Sequence, residues 1–283
     1  MVRMVEPNPS EPQRFIDLGR PRRIWAIGAV HADPDRLDAI HHAVAERFRP
    51  GDRLIYLGNM IGRGEWVIET LDRLIAFRSA LLARPGMVAS DLVYLRGGQE
   101  EMWQKLMQLQ FAPDPRQVLD WMLRQGVATT LAAYGGSAEA GMAAARGGTV
   151  SLGRWTQGLR QAMQSRPGHE ALFNSLRRAA YTGVTASGDP AAPQGLLFVS
   201  AGIDPARPLT HQGDAFWWGG AGFTRLDHHY GGFRRLVRGY DPAHQGVAAG
   251  DLAVTLDGGC GFGGTLVCGC FDTGGEILEM FQA

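Results

Sequence analysis

Arg53-Leu54-Ile55-Tyr56-Leu57-Gly58-Asn59-Met60-Ile61-Gly62-Arg63-Gly64 is a short apolar run that closes in a glycine-framed turn. From about Glu65 the pattern changes to Val67, Ile68, Leu71, Leu74, Ile75 and Leu82, which recur at helical spacing, so the stretch reads as strand, loop, helix. The same unit precedes it. Residues 23–28 (RIWAIG) lead through Ala29, Val30, His31 and Ala32 to Asp33 and Pro34, and then to Leu37, Ile40, Val44 and Phe48. A third follows, in which residues 92–95 (LVYL) pass through Arg96-Gly97-Gly98-Gln99-Glu100 into a helix over 99–110 with Met102, Trp103, Leu106 and Leu109 on its apolar side. Three such units in succession predict an α/β sheet with its site at the carboxyl ends of the strands.

Beyond this the pattern shifts. From about 111 to 183 strand signals stop and alanine, glutamine and arginine dominate, which predicts a mostly helical insertion or cap. Residues 196–200 (LLFVS), 234–238 (RRLVR), 252–256 (LAVTL), 265–271 (TLVCGCF) and 277–281 then read as strands separated by glycine-rich turns. Residues 1–22 read as a loose N-terminal arm, and residues 23–283 as one domain carrying the cap. The 28 basic and 28 acidic side chains cancel, which removes any global electrostatic reason to expect nucleic acid or an anionic membrane as partner. No stretch approaches the ~20 apolar residues of a membrane span. Cys260, Cys268 and Cys270 form neither a disulfide framework nor a paired zinc motif, so a reducing cytoplasm is the simpler expected setting. Phe216, Trp217 and Trp218 read either as a stacking wall or as the anchor of a lid.

The turns carry a resemblance. In order, Gly28 to Ala32, Gly58 to Gly64, Arg96 to Glu100, Ser200-Ala201-Gly202, Gly239-Tyr240-Asp241 and Leu256-Asp257-Gly258-Gly259 resemble the motifs of the calcineurin-like metallophosphoesterases. The likeness is to the branch of bacterial serine/threonine protein phosphatases and symmetrical dinucleoside tetraphosphatases. It implies a four-layer α/β/β/α sandwich of two mixed sheets with a mostly helical insertion. In that family two divalent metals about 3.5–4 Å apart polarise a phosphoryl group and generate the nucleophile from a bridging water. The positions that match the six metal-ligand sites are Ala29, His31, Asn59, Gly98, Ser200 and Tyr240, of which only His31 keeps the family's residue type. Gln99 stands in the general-acid position with an amide that does not titrate, and Gly62 replaces the carboxylate that would orient that acid.

Loss of two-metal hydrolysis is therefore the leading expectation, with no catalytic residue and no cofactor expected. Arg63, Arg96 and Arg238 remain as candidate anion contacts, which could hold a phosphate-containing small molecule or a phosphoprotein; they read equally as ion-pair residues that hold the turns. Two other classes stay open. One is an active metal-dependent phosphohydrolase with manganese or another divalent metal on a rebuilt site that draws on His31, Glu100, Asp241 and His244. The other is a structural or interaction protein whose cleft is filled by side chains. The sequence leaves oligomeric state undetermined.

Overall fold

The computed structural model describes residues 15–183 and 193–283. Among the described residues, eleven strands fall into two mixed sheets. The five-stranded sheet contains β2 (Ile24–Ile27), β3 (Arg53–Tyr56) and β4 (Leu92–Tyr94), parallel neighbours in that order, with β10 (Val267–Phe271) antiparallel to β2 and β11 (Ile277–Gln282) at the edge. The six-stranded sheet runs β1 (Phe15–Asp17), β5 (Ala179–Tyr181), β6 (Leu196–Val199), β7 (Arg235–Arg238), β9 (Ala253–Thr255) and β8 (Ala248–Ala249).

Alternation along each strand sends side chains to opposite faces and so builds the layers. Ile24, Ala26, Ile55 and Val93 meet Phe198, Val237 and Val254 between the two sheets. Trp25, Ile27, Leu54 and Tyr56 face the other way, toward α1 (Pro34–Arg47), α2 (Val67–Leu82) and α3 (Gly98–Leu106). Leu197, Val199 and Leu236 pack on α9 (Ala215–Trp218) and α10 (Gly220–Thr224) on the far side. The order of layers is helix, sheet, sheet, helix.

The helical insertion comprises α4 (Pro115–Met122), α5 (Ala128–Ala133), α6 (Ala138–Arg146), α7 (Gly148–Gln164) and α8 (His169–Ser175). Its buried Leu119, Met122, Leu131, Leu159 and Leu172 join the same core as α1 to α3. A relay fastens it: the Tyr134 hydroxyl lies 2.7 Å from His169 Nδ1, His169 Nε2 lies 3.0 Å from Asp72 of α2, and Tyr134 stacks on Trp103 of α3.

Two boundary expectations are corrected. Phe15 to Asp17 of the expected loose arm form β1, which pairs in parallel with β5, and Leu18 enters the core between the sheets; residues 1–14 of that arm lie outside the described residues. β5 itself belongs to the stretch expected to be helical up to residue 183. Both strands are three residues long and exist through non-local pairing, which leaves little local periodicity to read. No helix among the described residues is long and apolar enough to cross a membrane. All three cysteines are free and buried, and burial pushes the Cys260 and Cys270 thiols up to about 12, which keeps them protonated.

Candidate functional site

The parallel strands β2, β3 and β4 end at the three glycine-framed turns, and β6 and β7 of the facing sheet end at Ser200 and Tyr240. The two sets meet at one rim, where the Ala29 N–H donates to the Gly239 carbonyl at 2.9 Å. His31, Ala32, Asn59 and Arg63 adopt left-handed backbone with φ between 50° and 64°, a conformation that side chains seldom take and that clusters at functional turns. The second and third turns touch through backbone. A Cβ on Gly97 would lie 2.2 Å from the Asn59 nitrogen, so glycine is the only residue that fits there.

What binds these turns together is Glu100. Its buried carboxylate accepts N–H bonds from Asn59 at 2.8 Å, Met60 at 2.7 Å, Ile61 at 3.2 Å and Gly97 at 2.8 Å. Burial raises the pKa of this carboxyl from its ordinary value, opposed by the four N–H groups. Both oxygens of Glu100, a candidate ligand for a rebuilt metal site, are hydrogen-bonded to the backbone of the turns. A sequence signal for this role exists, since Glu100 sits three residues after the Gly97 cap of α3, the place from which a glutamate reaches back to the helix start.

Asp241 is engaged in the same way. It accepts from the Ala243 and Gln245 N–H groups and pairs with Arg238 at 3.1 Å, so it closes its own turn. His244 packs its ring on Phe262 at 4.1 Å, with Nδ1 4.0 Å from Asp257. The expected Asp241 and His244 pair does not converge on a common point with Glu100. Among the described residues no group of three or more His, Cys, Asp or Glu side chains is placed to hold a metal ion.

The six positions that match the family's ligand sites hold a mixture of side chains. Ala29 is an alkyl group, and the Asn59 amide oxygen accepts the Gln99 N–H at 3.0 Å. His31 is 1% exposed and wedged edge-on between Tyr240 and Phe262, with neither ring nitrogen hydrogen-bonded. Burial first, and the nearby Arg63 charge second, lower its pKa to about 3, so the imidazole is neutral. Ser200 Oγ is buried without a partner. Above Gly98 lies the Trp218 indole, whose ring would come within 3.0 Å of any Cβ there.

Gln99 and Gly62 form a matched pair. The Gln99 Nε2 donates to the Gln125 carbonyl of the insertion at 2.7 Å, and its Oε1 lies 2.1 Å from where a Gly62 Cβ would stand. A carboxylate side chain at position 62 would collide with it. Gln99 thus fastens the insertion, whose π-helical turn, Leu123–Val127, also takes the Arg63 N–H on the Gly126 carbonyl.

The arginines have diverged. Arg238 is buried, hydrogen-bonded to Thr255 and paired with Asp241, and Arg96 pairs with Glu101 at 3.2 Å. Arg63 lays its guanidinium 4.2 Å over the Phe262 ring and leaves Nε buried without a hydrogen-bond partner. Between Asn59, Arg63, Gly98, Gln99, Trp218 and Tyr240 there remains a cavity of about 20 Å³.

No protein-family model and no curated protein matches this sequence at a significant level. Solved structures do match. A protein named as a candidate diadenosine tetraphosphatase is similar over 96% of this chain and 99% of its own, at 17% identity and a TM-score of 0.50. A hypothetical protein from Pyrococcus horikoshii OT3 matches at 12% identity, over 92% of this chain and 87% of its own, with a TM-score of 0.48. A serine/threonine phosphatase from Saccharomyces cerevisiae matches at 13% identity, over 96% and 84%, with a TM-score of 0.48.

The chain has the calcineurin-like metallophosphoesterase fold.

Against that fold's two-metal chemistry the residues here do not fit. Two dications need anionic oxygen donors and neutral imidazoles around them. At the matched positions this metallophosphoesterase-fold chain offers one imidazole and no carboxylate, around a small cavity lined by Asn59, Arg63, Gly98, Gln99, Trp218 and Tyr240. Sequence reading did not single out Phe262, Gln125 and Gly126, which come from segments with no motif of their own. Trp218 did carry a signal as part of the Phe216-Trp217-Trp218 run: Phe216 and Trp217 anchor the core, and Trp218 reaches the cleft, edge-on to Trp121 of α4.

Proposed function

We propose that this chain is a pseudoenzyme: a phosphoesterase-fold protein that has lost two-metal hydrolysis and serves as an interaction protein with its cleft filled. The observation that carries the reading is the Trp218 indole over Gly98, in a space of about 20 Å³ with His31 as the only retained ligand type. Two of the three candidate anion-binding arginines are spent on Glu101 and Asp241, which favours a filled cleft over a standing phosphate site. A phosphorylated ligand would have to displace Trp218 to reach Arg63.

The test is elemental analysis of the protein purified in manganese-supplemented buffer, with hydrolysis assays on a generic phosphate ester and a dinucleoside tetraphosphate. The expected result is sub-stoichiometric metal and no turnover. About two metals per chain with turnover would overturn the proposal. A rise in melting temperature with inorganic phosphate that Arg63→Ala abolishes would move the reading from a filled cleft to an anion-binding one.

A further inference from the structure

Arg63 combines three features that a surface arginine does not. Its backbone is left-handed at φ 64°, its N–H is held by Gly126 at 3.0 Å, and its Cγ passes so close to Gly126 that a Cβ there would approach to 2.7 Å. The side chain is therefore threaded through a gap between the second turn and the insertion. At its end the guanidinium lies 4.2 Å over one aromatic face, that of Phe262, and acts on the hydroxyl of Tyr240, whose ring stacks on Phe262 at 6.4 Å between centroids; among the described residues it forms no ion pair with a carboxylate. His31 closes the box edge-on to both rings, at 5.5 Å from Tyr240 and 5.6 Å from Phe262. Arg63 shares its cavity with Asn59, Gly98 and Tyr240, and His31 adjoins it, so four of the six ligand positions surround this one charge.

We propose that the Arg63 guanidinium is the resident cation of the site, a charge built into the chain that occupies the aromatic box of Tyr240, Phe262 and His31 and makes packing of the turns independent of divalent metal. The inference rests on the reading that two-metal hydrolysis is lost. A planar cation over an aromatic face is attracted by the ring quadrupole, and more strongly when partly desolvated. Aromatic walls suit a guanidinium and repel nothing, whereas the carboxylates of a metal site would be superfluous beside it. The box is then a site for one chemical class, a planar monovalent cation, at present satisfied from within.

The experiment is chemical rescue. Arg63→Ala should melt about 2–5 °C below the native chain, and millimolar methylguanidinium should restore at least half of that loss, while equal concentrations of sodium chloride, urea or manganese chloride should not. The same ligand should do nothing for Arg63→Ala combined with Phe262→Leu. Absence of rescue, rescue that persists without the Phe262 ring, or rescue by manganese would overturn the inference. If Arg63→Ala does not fold, the Arg63 Nε–H proton resonance of the native chain decides: it should lie upfield, shielded by the Phe262 face, and return downfield in Phe262→Leu, and an unshifted resonance in the native chain would refute the box. Failure here in an inert, metal-free protein counts against this inference alone, whereas bound metal with turnover in the native chain counts against the functional reading.

Discussion

At the joint of the second and third turns one carboxylate, Glu100, satisfies four backbone N–H groups, whereas a few residues away the His31 nitrogens, Gln99 Oε1, Ser200 Oγ and Arg63 Nε are all buried without partners. The first region is the frame of the cleft and the second is its lining. In the frame, loss of any donor or acceptor exposes a cost that the fold must bear, because an unmet buried N–H forfeits its hydration with nothing in return. In the lining, the orphaned polar atoms already bear that cost, so removing one that makes no other contact, such as the Ser200 hydroxyl, is nearly free. The contrast separates residues that hold the turns in shape from residues that line the cleft between them.

The largest expected effect falls on the frame. Glu100→Ala would strand four buried N–H groups and should cost about 4 kcal/mol or more, read as the shift in a urea unfolding midpoint; a loss under about 1 kcal/mol would erase the distinction drawn here. Trp218→Ala opens the lining at Gly98 and should cost about 2 kcal/mol, less than a fully buried tryptophan because the ring is 40% exposed. It should confer neither metal binding nor phosphate ester hydrolysis, and turnover in that variant would show that the lining alone had silenced the site.

His41 offers a buried imidazole that is satisfied, with Nε2 2.8 Å from the Tyr56 hydroxyl and its ring stacked on Phe77 at 3.8 Å. Burial lowers its pKa to about 3 in the folded chain. Unfolding returns it toward 6.5, so between those values the unfolded chain binds the extra proton and folding stability falls as pH drops, by about 1.4 kcal/mol per pH unit. From pH 7 to pH 5 this amounts to about 2 kcal/mol. His31, also lowered to about 3, adds an equal slope in the same window, so His41→Gln should remove about half of the combined dependence, and equal slopes in both proteins would contradict the assignment. The smallest effect is expected for Ser200→Ala, which removes an unpaired buried hydroxyl. Its stability should stay within about 0.5 kcal/mol of the native chain or rise, and a loss above 1 kcal/mol would mean that Ser200 has a partner in solution.

Much of the frame was legible before any coordinates. Apolar runs that end in glycine and pass into helical periodicity marked β2, β3 and β4 with α1, α2 and α3. The edges were harder. β1 and β5 are held by each other and by β6, and neither has a local pattern long enough to announce a strand. The lining was illegible for a related reason. Trp218 is 120 residues from Gly98, and Phe262 is 199 from Arg63, so nothing in either neighbourhood points to the other.

The sequence by itself determined the succession of strand, turn and helix and the absence of the metal-binding carboxylates, because hydrophobic period and residue identity are local properties. Only the tertiary structure decided that Glu100 ties the turns, that Arg238 and Asp241 are spent on each other, and that Trp218, Gln99 and Arg63 fill the cleft. Whether a charged or polar side chain is a ligand, a fastener or a plug depends on which distant atoms surround it once it leaves water, and that is settled by packing.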